Sequence, residues 1–243
     1  MFNYINAELS RLLKKKSAYI YYSVLSAFFL FITLFVTNEL AKNDVVHVGM
    51  LILSSFTIIF IGTQVFLAVY ADDLAANSLV NIFSTGLSKI EFVVSKLIVS
   101  VIYSICWHLV LALVYLAVYL LAQGPFDFET LVELLPFVYF SLLAQLAFTA
   151  VASIVNYFFQ KSTISTVIFI LLGMGFISGI VTLLATQIEV FETIYDYLIS
   201  TQLNIALFGE NANTSQASLI MVAYIIVSSG IAVLLLEKRD IKA

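Results

Sequence analysis

Cysteine and histidine, which often act as nucleophiles, bases or metal ligands, are sparse in this chain. Its single cysteine, Cys106, lies two positions before one of its two histidines, His108, in an apolar segment. Side chains two residues apart on a helix diverge, so this pair does not form a two-ligand metal site. The sequence contains no HExxH motif and no paired cysteines. We therefore expect no metal site, and we expect His108 to be a neutral histidine hydrogen-bonded inside the protein.

Two motifs that would make the chain an enzyme are also missing. In Gly175-Phe-Ile-Ser178-Gly179 the serine is misplaced relative to both glycines of a GxSxG nucleophile motif. No GxxxxGK[ST] loop is present, so the chain does not bind ATP by that route. We predict that the chain is not an enzyme; an intramembrane protease is the weaker alternative.

The composition is that of a membrane protein. Of its 243 residues 62% are hydrophobic and 11% are charged, whereas about a quarter of the residues of a soluble domain are charged. A bilayer core needs about 20 apolar residues per helix. Six segments meet this requirement within a few residues and predict an all-α, single-domain bundle over 1–243: 18–37, 48–71, 97–122, 134–159, 164–186 and 216–236.

The basic residues predict how this bundle is oriented. Ten of the eleven fall on one side of six spans, and only Lys42 falls on the other. By the positive-inside rule both termini then face the cytoplasm. The ten are Arg11, Lys14, Lys15, Lys16, Lys89, Lys96, Lys161, Lys238, Arg239 and Lys242.

Two segments outside the spans are amphipathic. Residues 1–16 have apolar side chains at helical spacing opposite basic ones, which favours a helix lying along the inner membrane surface. Residues 187–215 begin with a similar alternation of apolar and acidic faces. We predict an interfacial or re-entrant segment on the outer side there.

The stretch DDLAANSLVNIFSTGLSKIEF, residues 72–92, interrupts the apolar sequence between spans 2 and 3. Read as a helix, 72–83 places an apolar face opposite a polar face. Gly86 is suited to a left-handed cap, and Ser88 to Glu91 has the spacing of a capping box that opens the next helix. The pattern predicts a short amphipathic helix, a turn and a new helix; a plain interhelical loop is the alternative.

The order of these features resembles the type-2 ATP-binding-cassette (ABC) exporter permeases. The resemblance covers the whole chain and includes Asp72 and Asp73, the run 84–89 (STGLSK), Lys96, and the ending 237–241 (EKRDI). Many members of that family have glutamate where Asp72 or Asp73 stands, and arginine where Lys89 stands. In the family, the loop between spans 2 and 3 is a coupling helix that sits in a cleft of a separate cytoplasmic ATPase.

The resemblance implies which residues contact the ATPase. They are Asp72, Asp73, Asn77, Leu79, Asn81, Ile82, Phe83 and Gly86. It also implies that ATP and Mg²⁺ are bound by that partner, with no cofactor in this chain. Independently, His108 is the one side chain expected to titrate within the spans. Ion-driven transporters usually place charged groups at membrane depth, so the driving force is expected to come from elsewhere.

Small and polar residues in the spans suggest where helices meet. Gly175 and Gly179, with Thr182, form a small-residue pattern that allows close helix approach. The resemblance favours a seam with a second copy or a related permease, and packing within one bundle is the alternative. It also favours spans 1, 2 and 5 as the lining of a cavity, with Ser26, Thr57 and Gln64 as candidates.

A stripe in span 4 is expected to form hydrogen bonds within the bundle rather than a substrate path. It comprises Ser141, Gln145, Thr149, Ser153 and Asn156. From the family we expect export of an amphipathic substrate, first a peptide such as an antimicrobial peptide or toxin, and next a drug or lipid. A non-transporting membrane immunity protein is the alternative. Nothing in the sequence suggests a nucleic-acid partner.

Overall fold

A computed structural model describes residues 1–39, 57–71, 78–123, 128–209 and 213–238. All regular structure in these ranges is helical, with no strand among them. This agrees with the predicted all-α class. The helices in chain order are α1 Phe2–Leu13, α2 Lys16–Glu39, α3 (57–71), α4 Ser78–Ser84, α5 Lys89–Gln123, α6 Phe128–Phe159, α7 Ser162–Gly173, α8 Phe176–Ala185, α9 Glu189–Asp196, α10 Ile199–Phe208 and α11 Thr214–Glu237.

Helix α3 is irregular along its length. An α-helical turn, Gly62–Phe66, lies between two π-helical turns, Thr57–Ile61 and Leu67–Ala71. Wider π turns change which backbone carbonyls remain available to other donors. Two carbonyls from this part of the chain are used by side chains of α1 and α5, as described below.

Among the described residues, three helical stretches are long and apolar enough to cross a membrane: Lys89–Ala117, Leu135–Phe159 and Thr214–Glu237. The pair α7 and α8 makes a fourth if it is one span. Shorter apolar helices are Lys16–Ile32, Thr57–Tyr70 and Ile199–Phe208. The fold is therefore that of a helical membrane protein, with three to four candidate spans in the part of the chain that the structure describes. Part of predicted span 2 lies outside the described residues.

The predicted continuous span 164–186 is broken. Helices α7 and α8 meet at an angle of 57°. The reason is local: Gly175 has a left-handed backbone with φ of 71°, a conformation that ends a helix and that glycine adopts at little cost. Ser178 Oγ donates a hydrogen bond to the Gly175 carbonyl oxygen, at 2.7 Å, in the first turn of α8.

The segment 187–215 contains two helices of different character. None of the α9 side chains is buried, as expected of a surface helix. In α10, by contrast, Ile199, Leu203 and Ala206 are buried, and this helix packs against α6 and α11. Only the first of the two helices thus has the exposed character that an interfacial position requires.

Helix α6 lies in the centre of the bundle and packs against α7, α10 and α11. Stacked aromatic rings connect α3 to α7, with Phe66 and Phe169 centroids 5.7 Å apart. A Cβ at Gly62 would lie 2.5 Å from Phe169 Cζ. The close approach of α3 and α7 therefore depends on the absence of a side chain at Gly62.

Candidate functional site

The connection between α4 and α5 is a tight turn with an exposed tip. Gly86 N–H donates to the Phe83 carbonyl oxygen at 3.1 Å, and Gly86 has φ of 83°. A Cβ built on Gly86 meets nothing within 4 Å, so glycine is favoured by backbone conformation rather than by lack of space. Ser84, Thr85 and Gly86 are exposed.

A capping box opens α5 immediately after this turn. The Glu91 N–H donates to Ser88 Oγ at 3.2 Å, and the Ser88 N–H donates to Glu91 Oε2 at 3.1 Å. Each side chain thus satisfies a backbone donor that has no partner within the helix. The predicted left-handed glycine and the predicted capping box are both confirmed.

The apolar face of α4 packs on the protein's own bundle. Leu79 is buried, and Ile82 and Phe83 are partly buried against the core. The Phe83 and Phe92 rings lie 5.4 Å apart. The resemblance assigned all three of these residues to ATPase contact, but here they attach α4 to the bundle. Gly86, which it also assigned to that contact, is exposed. Asp72, Asp73 and Asn77 lie outside the described residues, as does the Asn81 side chain.

Helix α1 is held to α5 by a buried ionic cluster. Lys96 Nζ lies 2.9 Å from Glu8 Oε2 and 2.9 Å from the Val69 carbonyl oxygen, to which it donates. Arg11 Nη2 lies 2.8 Å from Glu8 Oε2 and donates to the Ala68 carbonyl oxygen at 3.0 Å. The Lys96 side chain is completely buried. The cluster joins α1, the end of α3 and the first turns of α5.

The cluster keeps Glu8 ionised although it is largely shielded from water. Burial by itself raises the pKa of the Glu8 carboxyl, but the neighbouring Lys96 ammonium and Arg11 guanidinium outweigh it, so the pKa lies below its ordinary value. No local sequence pattern pairs Glu8 with Lys96. The available signal was that Glu8 shares the helical face of Ile5 and Leu12, which are both buried; a carboxylate in such a face needs a partner.

Three segments far apart in sequence meet at this end of the bundle. The Met1 amino group lies 3.9 Å from Glu91 Oε1. Lys89 Nζ donates to the Glu237 carbonyl oxygen, at 3.3 Å, at the end of α11. The N-terminus, the α4–α5 turn and the end of α11 are therefore neighbours. The distribution of basic residues predicts that all three segments lie on the cytoplasmic side of the membrane.

The polar stripe of α6 faces protein. All five of its predicted members are buried. Gln145 Nε2 donates to Ser104 Oγ of α5 at 2.7 Å, and Asn156 Nδ2 donates to the Tyr70 carbonyl oxygen at 3.4 Å. His108 is buried as well, with Nδ1 2.9 Å from the Ser104 carbonyl oxygen. The predicted hydrogen bonding within the bundle is therefore confirmed for His108, Gln145 and Asn156. Ser153 Oγ donates to the Ala150 carbonyl oxygen of its own helix, and the Ser141 and Thr149 hydroxyls are buried without a hydrogen-bond partner among the described residues.

The candidate seam residues lie at the α7–α8 break and in α8, and the candidate cavity residues lie in α2 and α3. Gly175 lies at the break between α7 and α8, whereas a Cβ on Gly179 would meet nothing within 4 Å, and Thr182 is exposed. Ser26 in α2 and Gln64 in α3 are half-buried, and Thr57 is buried. The dimer seam and the cavity lining stay predictions.

Comparison with protein-family models finds no model that matches the chain, and comparison with curated proteins finds no similar sequence.

Proposed function

We propose that this chain is the membrane-spanning permease of an ATP-driven exporter of the type-2 ABC class, working with a separate ATPase that binds ATP and Mg²⁺. The observation that carries the proposal is the α4–turn–α5 unit. Its apolar face is fixed to the bundle through Leu79 and the Phe83–Phe92 contact, while the tip at Thr85 and Gly86 is exposed. A segment that transmits force from a soluble partner needs both properties.

The length of α5 supports the same role. It continues from Lys89 to Gln123 as a single helix of 35 residues, about 52 Å at 1.5 Å per residue. A push on the turn would be carried along this rigid helix to the opposite end of the bundle. The Glu8–Lys96 pair would make α1 move together with α5, because the pair is buried and its charged atoms lie only 2.9 Å apart.

In the proposed arrangement the chain has six spans with both termini in the cytoplasm of a bacterium. Two copies, or this chain and a related permease, would form the pathway, with Gly175, Gly179 and Thr182 at the seam. The proposed cargo is an amphipathic peptide such as an antimicrobial peptide or toxin, with a drug or lipid as the next candidate. Ser26, Thr57 and Gln64 are the proposed polar contacts of the pathway.

The test is affinity purification of the tagged protein from its native membrane, followed by an ATPase assay of the eluate. Thr85→Trp adds bulk to the exposed turn, and Thr193→Trp is the matched control on the exposed helix α9. We expect a soluble ATPase to copurify with the wild type and the control, and to be lost from Thr85→Trp.

Two results would contradict the proposal. A folded wild-type protein that brings down no ATPase would remove the transporter assignment and favour an immunity protein or an intramembrane enzyme. Full ATPase recovery with Thr85→Trp would show that the exposed turn is not the docking element. Circular dichroism and gel filtration of each variant in detergent establish that the bundle is intact.

A further inference from the structure

An apolar groove lies between α1, the beginning of α2 and α5. Its volume is about 260 Å³. Its lining is almost entirely carbon, with one thiol and the rings of three aromatic residues. Leu13 and Tyr19 line it from α1 and α2, and Ile102, Cys106 and Val110 line it from α5.

The α5 wall of the groove is a stripe on the outer surface of the bundle. Ile102, Cys106 and Val110 follow one another at four-residue spacing, so they share one face of the helix. All three are exposed in the single chain. Lys89–Ala117, which contains this face, is one of the membrane-crossing candidates. In a membrane the exposed side of this stripe would therefore contact lipid tails. Because the same stripe forms one wall of the groove, the groove lies next to those lipid tails.

The junction between the α1 and α2 walls carries concentrated positive charge. Lys14 and Lys15 directly follow the lining residue Leu13, and Lys16 begins α2. Lys14 and Lys16 are exposed. The junction is held in place because the Tyr19 hydroxyl donates to the Leu13 carbonyl oxygen at 2.8 Å. The backbone that borders the groove at Leu13 and Ala18 therefore carries, between these two residues, exposed cations that an anion can reach.

We propose that this groove binds one acyl chain of an anionic phospholipid whose headgroup phosphate pairs with Lys14 and Lys16. With methylene groups taken as similar in size to a water molecule, 260 Å³ holds roughly nine of them, a large part of one fatty-acyl chain. The charge complementarity selects an anionic headgroup over a zwitterionic one. The site would fasten α1 to the membrane surface. It requires a membrane location but not the proposed transport activity.

The experiment uses the purified full-length protein in a neutral detergent and native mass spectrometry. Phosphatidylglycerol and phosphatidylcholine are titrated separately, and the dissociation constant of the first bound lipid is measured. The charge variant is Lys14→Gln with Lys16→Gln, and its matched control is Lys161→Gln with Lys238→Gln, which are also exposed. We expect the charge variant to weaken phosphatidylglycerol binding roughly 25-fold, about fivefold per lysine, and to leave phosphatidylcholine binding and the control unchanged.

A second pair of variants tests the groove itself. Cys106→Trp fills it from an exposed position, and Leu109→Trp places the same ring on an exposed α5 position that does not line it. We expect Cys106→Trp alone to weaken binding of both lipids. The proposal is overturned if Cys106→Trp binds phosphatidylglycerol like the wild type. It is also overturned if the two lysine pairs weaken binding equally, or if the wild type binds both lipids with the same affinity.

Discussion

Lys96 Nζ and Glu8 Oε2 lie 2.9 Å apart, although 88 positions separate the two residues in sequence. Both side chains are shielded from water, the lysine completely. A second cation, Arg11, reaches the same carboxylate. Because each charge depends on the others for solvation, this cluster is the position at which one substitution is expected to have the largest effect on stability.

Lys96→Met leaves the Glu8 carboxylate with only Arg11 as its ionic partner. We expect the free energy of unfolding to fall by about 3 kcal/mol, as for other buried pairs that lose one member. Thermal unfolding in detergent measures the loss. Lys161→Met, at an exposed position, is the control and should change little. If the charge pair is responsible, the double variant Glu8→Leu with Lys96→Met recovers much of the loss; an equal or greater loss would contradict this explanation.

Acid should weaken the same cluster. The pKa of Glu8 is lowered in the folded protein relative to its ordinary value of 4.5. The carboxylate therefore stabilises the fold above pH 4.5, and this contribution disappears as the pH falls below 4.5 through the folded-state pKa. We expect the unfolding temperature of the wild type to fall more steeply between pH 5 and 3 than that of Glu8→Gln. Parallel pH profiles for the two proteins would refute a role for Glu8.

Gly86 is expected to be sensitive to backbone conformation alone. With φ of 83° and no atom within 4 Å of a built Cβ, Gly86→Ala should lower the free energy of unfolding by about 1 kcal/mol. Gly230→Ala is the control, because Gly230 also has open space around it but lies within helix α11. There alanine should be neutral or slightly stabilising. Similar unfolding curves for the two variants would rule out strain at Gly86.

Gly179 tests the proposed seam between two copies. Gly179 is exposed, and a Cβ built on it meets no described atom within 4 Å, so we expect Gly179→Leu to leave the unfolding temperature of the isolated protomer almost unchanged. We expect it to weaken self-association in detergent at least tenfold, measured by light scattering across a concentration series. Gly230→Leu, which is equally unobstructed, provides the comparison. Unchanged association in Gly179→Leu would place the seam elsewhere.

Features that depend on neighbouring residues could be predicted from the sequence. The Ser88–Glu91 capping box and the left-handed Gly86 are examples, because the interacting groups lie within a few positions of each other and their residue types favour one geometry. That the chain is a helical membrane protein could likewise be predicted from its long apolar segments. Apolar segments of this length satisfy their backbone hydrogen bonds in lipid only as helices.

The tertiary structure decided what each helical face contacts. The spacing of Leu79, Ile82 and Phe83 shows that they share a face of the helix. Spacing alone does not show whether that face contacts a partner or the protein itself, and in the structure it covers the protein's own core. The sequence likewise gave no means of pairing Glu8 with Lys96, which come together only because α1 packs along α5. Contacts between residues so far apart depend on how several helices fill space together, and local patterns do not record that.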